Sequence, residues 1–125
     1  MTDSTSIAQL LSDSHLAFLN QQNDVALSLA KQALKFAPKN SDAYKCVGNA
    51  LMSLECYDEA IKNYSLAVKY DSSNGNRYYD LGFAQATNEK LADAIKNLAK
   101  ADELGCVSEN LVQLLRLYNK CWGNK

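Results

Sequence analysis

The sequence predicts an all-α chain built as a stack of helix pairs. Three observations carry that expectation. Apolar residues recur at helical spacing in seven segments, and no segment reads as a strand. Short clusters of turn formers separate the segments, such as Asn20–Asp24 and Asp71–Gly75. The same small residues also return at a fixed interval of 34 positions: Ser14, Gly48 and Gly82, then Ala26, Ala60 and Ala94, then Ala33, Ala67 and Ala101.

Residues 1–6 are polar and read as a flexible N-terminus. From Ile7 to Leu19, residues Ile7, Leu10, Leu11, Leu16, Phe18 and Leu19 fall in a broadly helical pattern. The turn at Asn20–Asp24 ends it, and Val25 to Phe36 is strongly periodic. Pro38 stops that helix, because the residue before a proline is pushed out of the helical region. Asn40-Ser41-Asp42 supplies capping side chains for a helix running to about Leu54. The next helix spans Asp58 to Tyr70. After the break at Asp71–Gly75, Asn76 to Thr87 and Leu91 to Leu104 are helical, with Asn88–Lys90 between them. Gly105 is a natural helix stop. Ser108 to Trp122 carries Leu111, Val112, Leu114, Leu115, Leu117, Tyr118, Cys121 and Trp122, the broad stripe of a seventh helix.

The totals narrow the class of function. A chain of 125 residues suits a single domain and buries roughly two thirds of its unfolded surface. Thirteen basic and fourteen acidic residues give a net charge of -1, with no basic stripe, so no nucleic-acid partner is expected. No run approaches the ~20 apolar residues of a membrane helix, so no membrane partner is expected. The N-terminus has neither the charged nor the apolar region of a signal peptide, and the expected location is cytoplasmic. Cys46, Cys56, Cys106 and Cys121 match no zinc or redox spacing and are expected as thiols.

A fixed period with small residues in register has a physical meaning. One helix pair cannot bury its apolar face alone, and stacked pairs bury a continuous core where small residues let backbones approach. The middle unit carries Tyr44, Val47, Gly48, Leu51, Ala60, Tyr64 and Ala67. The third carries Tyr78, Leu81, Gly82, Gln85, Ala94, Leu98 and Ala101; the first carries Leu10, Asp13, Ser14, Ala17, Ala26, Ala30, Ala33 and Pro38. These residues resemble the tetratricopeptide repeat pattern W-x2-L-G-x2-Y, then A-x3-F-x2-A-x4-P. The first unit departs from it, with Asp13 and Ser14 in place of Leu-Gly. The resemblance implies repeats at 7–40, 41–74 and 75–108, a capping helix at 109–122 and a tail at 123–125. It also implies a right-handed superhelical α-solenoid of three antiparallel helix pairs plus the C-terminal capping helix.

In that family the first helix of each pair lines a concave face that holds a peptide or a partner helix. The resemblance then places Leu11, His15 and Phe18, Lys45, Asn49 and Met52, and Asn76, Tyr79 and Phe83 on the groove, with Ala8, Asp42, Ala86, Gln113 and Leu117 beside them. The asparagine amide suits a peptide backbone, and methionine adapts to irregular shapes. Phe18 and Phe83 read equally as core or groove, and Met52 more readily as core. One subset of the family grips the carboxylate tail of heat-shock chaperones with a basic clamp. The matching positions here hold Leu11, His15, Cys46, Asn76 and Asp80, so no tail clamp is expected and a peptide with basic or apolar groups suits the groove better.

Other sites carry less. His15, the only histidine, has Leu11 and Leu19 at its i±4 positions and lacks companions for a metal. No phosphate loop, nucleophile elbow or paired carboxylate appears, so neither a catalytic site nor a cofactor is expected. Trp122 reads as sealing the last apolar groove, with a homodimer through the capping helix as the alternative. The expected function is a non-catalytic protein-interaction module, a scaffold, adaptor or co-chaperone. A repeat domain that recruits partners for a larger protein is the second reading, and a small metal-binding protein the third.

Overall fold

The computed structural model describes residues 4–106 and residue 116. Within them the chain forms six helices: α1 (Ser4–Leu19), α2 (Asn23–Phe36), α3 (Ser41–Ser53), α4 (Tyr57–Tyr70), α5 (Gly75–Thr87) and α6 (Leu91–Glu103). No strand occurs among the described residues. The helices start and end within three residues of the expected positions. The largest difference is α1, which begins at Ser4 rather than Ile7, since short hydroxyl residues are well tolerated around a helix start. Apart from residue 116, the expected capping helix at 109–122, with Trp122, lies outside the described residues.

Each pair closes through one kind of turn. Gln21, Glu55 and Glu89 have left-handed φ values of 62°, 62° and 61°, and they stand at equivalent repeat positions. The next residue in each turn donates its backbone N–H five residues back: Gln22 to Ala17, Cys56 to Leu51 and Lys90 to Gln85, each at 2.8 Å. That is the closure of a Schellman motif, which satisfies the last carbonyls of the helix. α6 ends the same way through Gly105, with the Cys106 N–H donating to Ala101 at 2.9 Å. Between pairs the chain is capped by asparagines. Asn40 Oδ1 accepts the Ala43 N–H and Asn74 Oδ1 accepts the Asn76 N–H, both at 3.0 Å.

Small residues set the distance between helices. Ala26, Ala60, Ala94, Ala33, Ala67 and Ala101 are all buried. A β-carbon on Gly48 would lie 2.6 Å from Tyr64 Cε1, and one on Gly82 would lie 2.8 Å from Leu98 Cγ. Both glycines are required by close approach, not by their backbone angles. The first pair departs from this arrangement in a compensated way. Ser14 stands at the glycine register, and Ala30 stands where Tyr64 and Leu98 stand in the later pairs. Volume added on the first helix is removed from the second. The buried Ser14 hydroxyl then donates to the Ala26 carbonyl at 2.7 Å, so its polar atom is satisfied. The unit that looks degenerate in sequence is therefore a complete helix pair.

Stacking adds a polar tie between the second and third pairs. Arg77 on α5 is buried, where Ala43 stands at the same register on α3. Its guanidinium donates to Ser41 Oγ at 2.9 Å and pairs with Asp42, while Asp71 Oδ2 lies 3.7 Å from Nε. Ser41 in turn donates to the Ala67 carbonyl at 2.7 Å. A buried cation held by two carboxylates and a hydroxyl fixes the register of the stack.

Candidate functional site: the face of the first helices

α1, α3 and α5 are the first helices of the three pairs, and they form one side of the stack. Eight of the nine expected groove residues line two cavities on that side. The first cavity, about 640 Å³, gathers Leu11 and His15 from α1 with Asp42, Lys45 and Cys46 from α3. The second, about 330 Å³, gathers Phe18 from α1, Asn49 and Met52 from α3, and Tyr79, Asp80 and Phe83 from α5, with Tyr64 at its back. Ala8 and Asp42 also line the first cavity. Asn76 is not brought to either. It is exposed at the start of α5, beside Asn74 and Cys106, and its Oδ1 accepts the Cys106 thiol at 3.1 Å. Leu104, Gly105 and Cys106 lie beside this end of α5. Gln113 and Leu117 lie outside the described residues.

The aromatic residues with two readings separate in the structure. Phe18 both packs on the small core of Ala17, Ala26 and Ala50 and lines the second cavity. Met52 likewise packs on the central core and lines the cavity. Phe83 is 42% exposed, and its ring centroid lies 6.2 Å from that of Tyr79. Half-exposed aromatics on an open wall are surface that a partner side chain can cover. His15 is exposed, with its ring 6.3 Å from Phe18. It belongs to no group of three or more metal-ligating side chains, and no such group exists among the described residues. Cys46, Cys56 and Cys106 are unpaired thiols.

The polar groups of the second cavity are unusual. The Tyr64 hydroxyl donates to Asn49 Oδ1. That bond commits the asparagine's carbonyl and leaves its NH2 to donate elsewhere. Burial pushes the Tyr64 hydroxyl well above the usual phenol range, and the nearby Asp80 carboxylate and Cys46 add to the shift. Asp80 is half-buried, and its Oδ2 is shielded from solvent without a hydrogen-bond partner among the described residues. Desolvation raises its pKa to about 6, against the opposing pull of Lys45 and Arg77. Neither cation pairs with it: Arg77 is taken by Asp42, Asp71 and Ser41, and Lys45 faces the first cavity. In the first cavity, burial also raises the Cys46 thiol.

Sequence reasoning treats Asp80 only as a residue of the wrong sign for a carboxylate clamp. The signal that marks it is its register. Asp80 is the charged member of a series whose earlier members are Ser12 and Cys46. Tyr64 reads as core from its repeat position and is core, but its hydroxyl also reaches the cavity.

Comparison with known proteins agrees with the fold. Residues 48–89 match the family model of the TPR repeat. Small glutamine-rich tetratricopeptide repeat-containing protein 2 of Mycosarcoma maydis is 45% identical over 53 residues, which are 42% of this chain and 15% of that protein. The protein of the same name from Saccharomyces cerevisiae is 31% identical over 84 residues, 67% of this chain and 24% of that protein. The chain thus spans a quarter or less of the length of these relatives. Among solved structures, the first TPR of Spaghetti (RPAP3), bound to the HSP90 peptide SRMEEVD, superposes with a TM-score of 0.89 at 21% identity, covering 98% of this chain and 97% of that one. The Sgt2 TPR domain of Aspergillus fumigatus gives 0.85 at 21% identity, covering 91% and 77%. With the repeat of 34 residues, the stacked helix pairs and the family match in view, the chain is a tetratricopeptide-repeat protein with an all-α solenoid fold.

Proposed function

We propose that this protein is a non-catalytic interaction module that holds a peptide or helix of a partner protein along α1, α3 and α5. The observation that carries the reading is the gathering of Phe18, Asn49, Met52, Tyr79 and Phe83 from three helices around one open cavity. The aromatic and thioether surfaces take apolar side chains of the partner, and the Asn49 NH2 takes a backbone carbonyl. The peptide held by the Spaghetti domain ends in acidic residues. Here the positions a tail clamp would use hold Leu11, His15, Cys46, Asn76 and Asp80, and the Asp80 carboxylate repels such a tail. Scaffold or adaptor work with a different partner is the function this groove supports best.

The test is selection of binders from a displayed library of random dodecapeptides against the immobilised full chain. Synthetic copies of the selected peptides should bind at micromolar concentrations. Phe83→Ala, at an exposed ring, should weaken them about tenfold with thermal unfolding unchanged. Tyr79→Ala should weaken them similarly and also cost some stability, because Tyr79 packs against Leu98 and Ala101. SRMEEVD should not compete. Asn49→Ala is a poorer probe, because it strands the Tyr64 hydroxyl. Failure to select any peptide, or equal binding by both aromatic variants, overturns the groove reading.

A further inference from the structure

We infer that the second cavity is a receptor for a basic side chain, lysine or arginine, of the partner peptide, with Asp80 as its counter-ion and Phe18, Tyr79 and Phe83 as its walls. The inference rests on the groove reading and names what one of its subsites recognises. Three observations converge on it. Asp80 lines a cavity of about 330 Å³ whose other walls carry no charge: Phe18, Asn49, Met52, Ser53, Tyr64, Tyr79 and Phe83. Its Oδ2 is shielded from solvent and has no hydrogen-bond partner among the described residues, so the charge of the carboxylate that lines the cavity is left uncompensated on the inner side. The cations near it are directed elsewhere: Arg77 into the tie with Asp42 and Ser41, Lys45 into the first cavity.

The shape fits the same occupant. A lysine or arginine stem is apolar and lies readily along Met52 and Phe18. Its charged end then meets the faces of Tyr79 and Phe83, whose ring centroids are 6.2 Å apart, and attracts them as a cation does aromatic rings. At the base it donates charge-assisted hydrogen bonds to Asp80. An acidic side chain would face an unpaired carboxylate, and an apolar one would leave that carboxylate without a donor.

The experiment uses an array of acetylated, amidated peptides built on one selected binder, with each position in turn replaced by arginine, lysine, norleucine or glutamate. Norleucine keeps the lysine stem and removes the charge. The expected result is one position at which arginine or lysine binds about tenfold or more tighter than norleucine, with glutamate weakest. Asp80→Asn, a neutral side chain of the same shape, should abolish that preference, so that the arginine, lysine and norleucine peptides bind within about twofold of one another. Binding at every position without preference for a basic residue, or a preference that survives Asp80→Asn, overturns the inference and leaves the groove reading standing. Loss of all binding by every peptide to the parent chain overturns the groove reading itself.

Discussion

Replacing Asp80 with asparagine should stabilise the unliganded protein at neutral pH, and the gain should vanish in acid. The unpaired carboxyl binds its proton more tightly in the fold than in the unfolded chain, since its pKa rises from 3.8 to about 6. Protonation therefore favours folding. The favourable contribution is complete below about pH 3.8 and is lost as pH rises through about 6. A shift of this size corresponds to roughly 3 kcal/mol at ~1.4 kcal/mol per pKa unit. Asp80 is only half-buried, so water screens part of that cost and about 1–2 kcal/mol is the expected penalty at pH 7.5. Lys45 on α3 and Arg77 on α5 favour the anion, and desolvation outweighs them; the Tyr64 hydroxyl on α4 and the Cys106 thiol after α6 also feel the Asp80 charge. Asparagine removes the charge at nearly constant volume. Thermal unfolding followed by circular dichroism from pH 4 to pH 8 reads the effect as a difference between variant and parent. That difference should grow from near zero at pH 4 to about +3 to +8 °C at pH 7.5. A difference that is flat with pH, or larger at pH 4, would refute the reasoning, because a desolvated carboxylate must lose its penalty on protonation.

Two further outcomes follow from the packing. Gly48→Ala places a β-carbon 2.6 Å from the buried Tyr64 ring and should cost about 1–3 kcal/mol in chemical denaturation, despite alanine's better helix propensity. Gly48→Ser combined with Tyr64→Ala recreates the Ser14 and Ala30 arrangement of the first pair. It should be at least about 1 kcal/mol more stable than the sum of the two single changes, and strict additivity would show that the helices do not exchange volume. At the turns, Glu55→Gly should raise stability by about 0.5–1 kcal/mol, because a side chain at a φ of 62° is strained and glycine is not. Loss of stability on this change would mean that the glutamate side chain holds the turn.

The architecture was legible because its signals are local. Helix spacing, the Pro38 stop, the Asn40 cap and the 34-residue register of alanines each depend on residues close in the chain. The shared placement of Phe18, Asn49, Met52, Tyr79 and Phe83 around one cavity was legible for a related reason, since a repeat places equivalent positions on one side of the stack. What escaped depends on how neighbouring pairs meet. Arg77 falls at an alanine register, and only stacking carries its guanidinium to Ser41 and Asp42. Asp80 has an ordinary place on α5, and only the presence of α3 and α4 shields its carboxylate. Asn76 lines neither of the two cavities and sits instead beside Cys106, which a repeat register alone does not foretell. Ser14 looks like a defect until Ala30 is seen to compensate it.

The stack also bears on how the chain reaches its fold. Each helix touches those next to it in sequence, with weaker contact to the next but one, as between α1 and α3 and between α3 and α5. No contact of this kind asks distant ends of the chain to find each other, so each step closes only a short loop. A following pair docks on the one before it and completes the apolar face that neither buries alone. Each of these units bends through one left-handed residue, at Gln21, Glu55 and Glu89, so the same local turn is what every pair reuses to bring its alanines together.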